Sequence, residues 1–169
     1  MREKIFKTFT ARELALSAVF AAAVCVATMV ISIPVPATSG FFNVGDSMVF
    51  ISALLYGAKI GGLAGGVGSA AADILLGYGN YAPFTLIIKG LEGFVVGHIS
   101  EKNSIVRSIV AVAAGAAVMV TGYFIVQSFM FGIPNALVEL PVNLFQVGSG
   151  FLIAVPVATA VRKAVPERF

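Results

Sequence analysis

Apolar residues run through this chain in long blocks, and short clusters of Pro, Gly and polar residues cut those blocks into six stretches. The first covers about residues 11–33 and is ended by Pro34 and Pro36, since proline removes a backbone donor and restricts the residue before it. A loop over about 34–43 carries Phe41 and Phe42 and leads to a short second stretch at about 45–58. Lys59 marks a tight turn before the third, at about 60–76, and residues 77–81 form another loop. Pro83 suits the first turn of the fourth, which reaches about residue 99. The fifth covers about 105–131, residues 132–135 break it, and the sixth covers about 136–161. An apolar stretch of about 20 residues spans a bilayer, so the pattern predicts six membrane-crossing helices.

The charges set a direction. Arg2, Lys4, Lys7 and Arg12 precede the first span, and Lys59 lies between the second and third. Lys102 and Arg107 lie between the fourth and fifth, and Arg162, Lys163 and Arg168 follow the sixth. The other three connections hold no Lys or Arg. Cytoplasmic loops carry the excess of Lys and Arg, so six spans with both termini cytoplasmic satisfy the rule at every connection. Composition agrees: 59% hydrophobic and 11% charged residues, with a mean hydropathy of +0.98, against about half and about a quarter in a soluble domain. The expected fold is an all-α integral membrane protein, a compact bundle of six transmembrane helices forming a single domain over 1–169. The net charge of +3 does not indicate nucleic acid, because the basic residues form no stripe with interleaved aromatics. The N-terminal apolar run is long enough to span and reads as a retained first helix in the cell membrane.

Of the 11 Lys and Arg residues, Lys89 alone falls inside an apolar stretch. An ionisable group at the bilayer centre costs about 2.5–3.5 kcal/mol, which makes each one a functional candidate. Glu92 is three residues on, nearly on the same face, and Asp73 lies in the third span. Lys89 either neutralises one of these carboxylates or presents its cation to a polar ligand. Glu139, Asn143 and Gln146 follow i, i+4, i+7 spacing and make a polar stripe on the sixth span. Their amides supply paired donors and acceptors suited to a heteroaromatic ring, or else hydrogen bonds between helices. Tyr123 and Gln127 have the same two readings in the fifth span. Asp46 suits a helix cap or a ligand contact. Phe41, Phe42, Tyr78, Asn80 and Tyr81 form either an interfacial aromatic belt or a lid of rings over a flat ligand. Cys25 reads as packing and His98 as structural.

The absences exclude classes. No phosphate-binding Gly-Lys-Ser/Thr loop is present, so this chain does not itself hydrolyse ATP. One His and one Cys, at different membrane depths, make neither a nucleophilic catalytic set nor a metal set. An enzyme is not expected, and no catalytic residue, metal or cofactor is assigned.

The segment from Gly40 through Phe41, Phe42, Asn43, Val44 and Gly45 to Asp46, the Gly-rich run from Gly57 to Asp73, and the stretch from Tyr81 through Pro83 and Lys89 to Gly93 resemble the substrate-binding S component of an energy-coupling factor (ECF) vitamin transporter over essentially the full chain. The resemblance is greatest to the riboflavin, pyridoxine and hydroxymethylpyrimidine branch. It implies a membrane scaffold subunit and two cytoplasmic ATPases as partners, and a bundle that tilts to carry its ligand inward. It also implies an outer-side ligand site built from the outer loops and helices 4 to 6, where the reading of the residues places its candidates Lys89, Asn143, Glu139, Gln146, Phe42, Asn43, Asp46, Asn80, Tyr81, Gln127 and Tyr123. An alanine motif on the first helix that docks on the scaffold maps to Ala18 and Ala22, with Ala11 and Ala15 at the same spacing. The chain has no Trp, so a stacking lid must use Phe and Tyr. The alternative is an autonomous proton-coupled secondary transporter or small channel, with Asp73, Lys89 and Glu92 as a relay. The absence of a readable inverted repeat counts against it.

Overall fold

In a computed structural model, residues 9–35, 38, 40–100 and 104–165 are described. The predicted cytoplasmic residues Arg2, Lys4, Lys7, Lys102 and Arg168, and the helix-ending Pro36, lie outside them. The elements in chain order are α1 (Ala11–Val30), β1 (Ser32–Pro34), β2 (Phe41–Asn43), α2 (Gly45–Tyr56), α3 (Ala58–Leu76), α4 (Ala82–Ile99), α5 (Ile105–Phe131) and α6 (Ile133–Ala164).

Local chemistry explains the boundaries. Thr10 caps α1 in a reciprocal box: its hydroxyl accepts from the Glu13 N–H at 3.2 Å, and its own N–H donates to the Glu13 carboxylate at 2.8 Å. The helix stops at Val30, short of the expected residue 33, because 32–34 pair antiparallel with 41–43. Three-residue strands are too short to show alternation, so this hairpin has no sequence signal. Gly57, at φ +84°, turns α2 directly into α3, and Ala58 and Lys59 belong to α3. Residues 133–135, expected to be a break, are the first turn of α6, with Gly132 at φ +86° before it and Pro134 where a missing N–H costs nothing.

Packing rests on small residues. A Cβ on Gly62 would lie 3.1 Å from the Gly90 carbonyl oxygen, and one on Gly65 would lie 2.7 Å from that of Lys89. Glycine therefore lets α3 and α4 approach backbone to backbone, the means of association available where lipid is as apolar as the helices. Beside this seam, α2, α4, α5 and α6 enclose an apolar core of Phe50, Leu54, Val96, Val112, Val155 and Ala158. Arg162 at the end of α6 locks this end, donating to the Ser108 hydroxyl of α5 at 3.1 Å and to the Leu54 carbonyl of α2. Leu54 is in the last turn of α2, where carbonyls lack helical partners.

Five helices, α1 and α3 to α6, are long and apolar enough to cross a membrane. Helix α2, with 12 residues, rises only about 18 Å and is largely buried among the others. Large apolar side chains stand outward, Phe129 at 87% and Leu152 at 72% exposure, a surface suited to lipid.

Candidate ligand site

The last turns of α1, α3 and α5 and the first turns of α2, α4 and α6 meet at the end of the bundle opposite the start of α1 and the end of α6. A cavity with an empty volume of about 470 Å3, counted out to its mouth, lies there. Its wall takes Thr28 from α1, Gly40, Phe41 and Asn43 from the hairpin, and Ser69 and Asp73 from α3. It continues with Tyr81, Thr85 and Lys89 at the start of α4, Met119, Tyr123 and Gln127 from α5, and Glu139, Asn143 and Gln146 from α6. A recurring spacing builds it. Ser69 and Asp73, Thr85 and Lys89, Tyr123 and Gln127, and Glu139 and Asn143 are all i, i+4 pairs that place two polar groups on the inward face of one helix.

An ionic network backs the wall. The Lys89 ammonium is ion-paired with Asp46 of α2 and, at 3.0 Å, with Glu92; all three side chains are buried. Gln146 donates to the other Asp46 oxygen at 3.2 Å, and its own carbonyl accepts from the Asn43 backbone and side-chain N–H groups, each at 3.1 Å. The Asn43 side chain in turn accepts from the Gly45 N–H at 2.9 Å. Asn43, not Asp46, thus serves the start of α2. The capping role open to Asp46 is corrected because it lies inside the first turn, where Lys89 of α4 claims its carboxylate. Lys89 also sits 5.8 Å from the centre of the Tyr123 ring, whose hydroxyl donates to Thr85 at 3.0 Å. Of the expected neutralising partners of Lys89, Glu92 is found and Asp73 is not; Asp46, 43 residues away, takes its place.

The α6 stripe faces inward as its spacing predicts, with Glu139, Asn143 and Gln146 all buried. Glu139 accepts from the Thr38 hydroxyl, and Gly40 lies so close that a Cβ there would come 2.7 Å from the Glu139 carboxyl carbon. Thr38 and Gly40 are thereby held against Glu139. Three polar atoms on lining residues remain without partners: Asp73 Oδ2, Gln127 Oε1 and Asn143 Nδ2. Their residues are only 5%, 4% and 6% exposed, and a buried polar group normally has a partner.

Most of the expected contacts meet here: Lys89, Asn143, Glu139, Gln146, Asn43, Tyr81, Gln127 and Tyr123. Three do not line the cavity. Phe42 points to α6, its ring centre 5.5 Å from that of Phe145. Asn80 is exposed at the turn before α4, and Asp46 is screened from the cavity by the Lys89 ammonium and Gln146 that it holds. Sequence reasoning did not assign Thr28, Gly40, Ser69, Thr85 or Met119, nor Asp73 as a contact of a ligand, whereas Phe41 is one of the rings it offered as a lid. The i, i+4 spacing of Ser69 to Asp73 and of Thr85 to Lys89 was the available signal. Phe41 and Tyr78 pair with ring centres 4.5 Å apart, and Tyr81 stacks on Phe131 at 5.8 Å, so aromatic rings do gather around this end. At the other end, Ala11, Ala15, Ala18 and Ala22 lie along one exposed face of α1.

The sequence matches the family model for the S component of ECF-type riboflavin transporters over residues 8–163. It is 43% identical over 132 residues to an uncharacterised protein of Pyrococcus woesei, covering 78% of this chain and 88% of that one. It is 30% identical over 154 residues to the thiamine precursor transporter HmpT of Lactococcus lactis subsp. cremoris, covering 89% and 88%. The fold is similar to that of the S component for biotin from an ECF-type ABC transporter, with a TM-score of 0.65 at 20% identity over 92% of this chain and 95% of that one. The chain belongs to the S components of ECF-type vitamin transporters and is an integral membrane protein.

Proposed function

We propose that this chain binds one molecule of a water-soluble vitamin or vitamin precursor in the cavity, with a pyrimidine precursor or pyridoxine ahead of riboflavin. The observation that carries this reading is the set of unpartnered buried atoms on Asp73, Gln127 and Asn143 around one cavity. A ligand that supplies their hydrogen bonds removes the cost of leaving them unmade. Little of the cavity is wide enough to hold even a water-sized sphere, which favours a one-ring compound over a flavin. The similarity to a thiamine precursor transporter points the same way.

The six helices cross the membrane with both termini cytoplasmic and the cavity at the outer face. Support comes from charge: among the described residues, Arg12, Lys59, Arg107, Arg162 and Lys163 all lie at the end opposite the cavity. Transport is energised by two cytoplasmic ATPases through a membrane scaffold, on which the exposed alanine face of α1 docks. The test is to purify the chain alone, identify copurified small molecules by mass spectrometry, and titrate hydroxymethylpyrimidine, pyridoxine and riboflavin. Stoichiometric binding of one of them supports the proposal. No binding across the panel, with proton-driven uptake in liposomes lacking any ATPase, would establish the autonomous transporter instead.

A further inference from the structure

Resting on that reading, we infer that Asp73 is the ligand-anchoring group and that the cavity takes an uncharged or cationic ring through an amidine-like edge, an amino group beside a ring nitrogen, while refusing anions. The first ground is charge. Four carboxylates, Asp46, Asp73, Glu92 and Glu139, are buried with a single ammonium, Lys89, which is already ion-paired with Asp46 and Glu92. No cation remains for a phosphate or carboxylate entering the site. Among the described residues, every other Lys and Arg is at the far end of the bundle. An anionic ligand would therefore lose its hydration and gain repulsion from Asp73 and Glu139.

The second ground is the pattern of unmet hydrogen bonds. Asp73 is 5% exposed, lines the cavity and leaves Oδ2 without a partner. Gln127 adds an unmet acceptor, and Asn143 an unmet donor. Acceptors predominate, so the ligand must be rich in N–H or O–H donors. A carboxyl group and an N–C–N edge make two parallel hydrogen bonds. The exocyclic N–H donates to one oxygen, and the other oxygen and the ring nitrogen hold one proton between them. Asp73 lies in the last turn of α3, away from the α6 stripe, so ring recognition would come from two sides.

The test uses purified full-length chain and three probes: 4-amino-5-hydroxymethyl-2-methylpyrimidine, its 4-oxo analogue, and its phosphate monoester. The wild type should bind the amino compound at least about 100-fold more tightly than either of the others, since a site built around a hydrogen bond strongly rejects analogues lacking it. Asp73→Asn should reduce that preference to a few-fold without changing thermal unfolding. Equal binding of the phosphate ester by the wild type, or undiminished discrimination in Asp73→Asn, would overturn the inference. If Asp73→Asn does not fold, the wild-type comparison of parent and ester still decides it. Binding of riboflavin without any aminopyrimidine would overturn this inference and leave the vitamin-binding reading standing. Binding of no candidate would overturn both.

Discussion

The two ends of the bundle are made from the same six helices and are held together differently. At the end holding the start of α1 and the end of α6, α2, α4, α5 and α6 close on Phe50, Val96, Val112 and Val155, with glycines bringing α3 and α4 into backbone contact. At the other end the same helices turn polar groups inward, and Lys89, Asp46, Glu92, Gln146 and Asn43 interlock. The first end is built on a buried apolar cluster. The second end leaves an open cavity and several unmet hydrogen bonds. In lipid the first gains from close packing. The second is stabilised only while its charges remain paired, because a buried charge without its partner is costly. A rigid apolar half thus positions a polar half that is incomplete without a ligand.

The largest break in this contrast is expected at Lys89. Lys89→Met leaves Asp46 and Glu92 buried without a cation and should cost about 3–5 kcal/mol, seen as a large drop in thermal unfolding temperature in detergent. Combining it with Asp46→Asn and Glu92→Gln should recover most of the loss. No recovery would show that Lys89 supports the fold by packing and not by charge. Next in size is Gly93→Ala at the packed end, where a Cβ would press on the backbone of Gly61 and Gly62. A cost near ~1–3 kcal/mol is expected, with ligand affinity per folded molecule unchanged. Asn143→Ala should do the reverse, weakening binding tenfold or more, about 1.4 kcal/mol, while unfolding stays near wild type. The smallest effect on the isolated chain should come from Ala18→Leu on the exposed face of α1. It should leave stability and binding intact and impair copurification with the scaffold subunit. Intact assembly would remove α1 as the docking surface.

The packed end was more legible in the sequence than the polar end. Apolar runs bounded by Pro and Gly gave α3 to α5 to within a residue or two, since a helix is a local structure with local stop signals. The hairpin was missed because three paired residues show no alternation, and the start of α6 was placed late because Pro134 was read as a break when it fits a first turn. In the site, the α6 stripe was visible because its residues share one helix. The partnership of Lys89 with Asp46 was not, because it joins residues 43 apart on different helices. From the sequence Asp73 is a carboxylate for Lys89 to neutralise or a member of a relay, and only the structure shows that it lines the cavity with one oxygen unpartnered.

The central claim is that the polar end of this chain alone holds a vitamin-like ring. Calorimetric titration of the purified chain and of Asn143→Ala, with the ligand named by copurification, tests it most directly. The account predicts one ligand per chain and a tenfold or greater loss of affinity in the variant at unchanged thermal stability. Wild-type affinity in a folded Asn143→Ala, or no ligand bound by the chain in isolation, would contradict it.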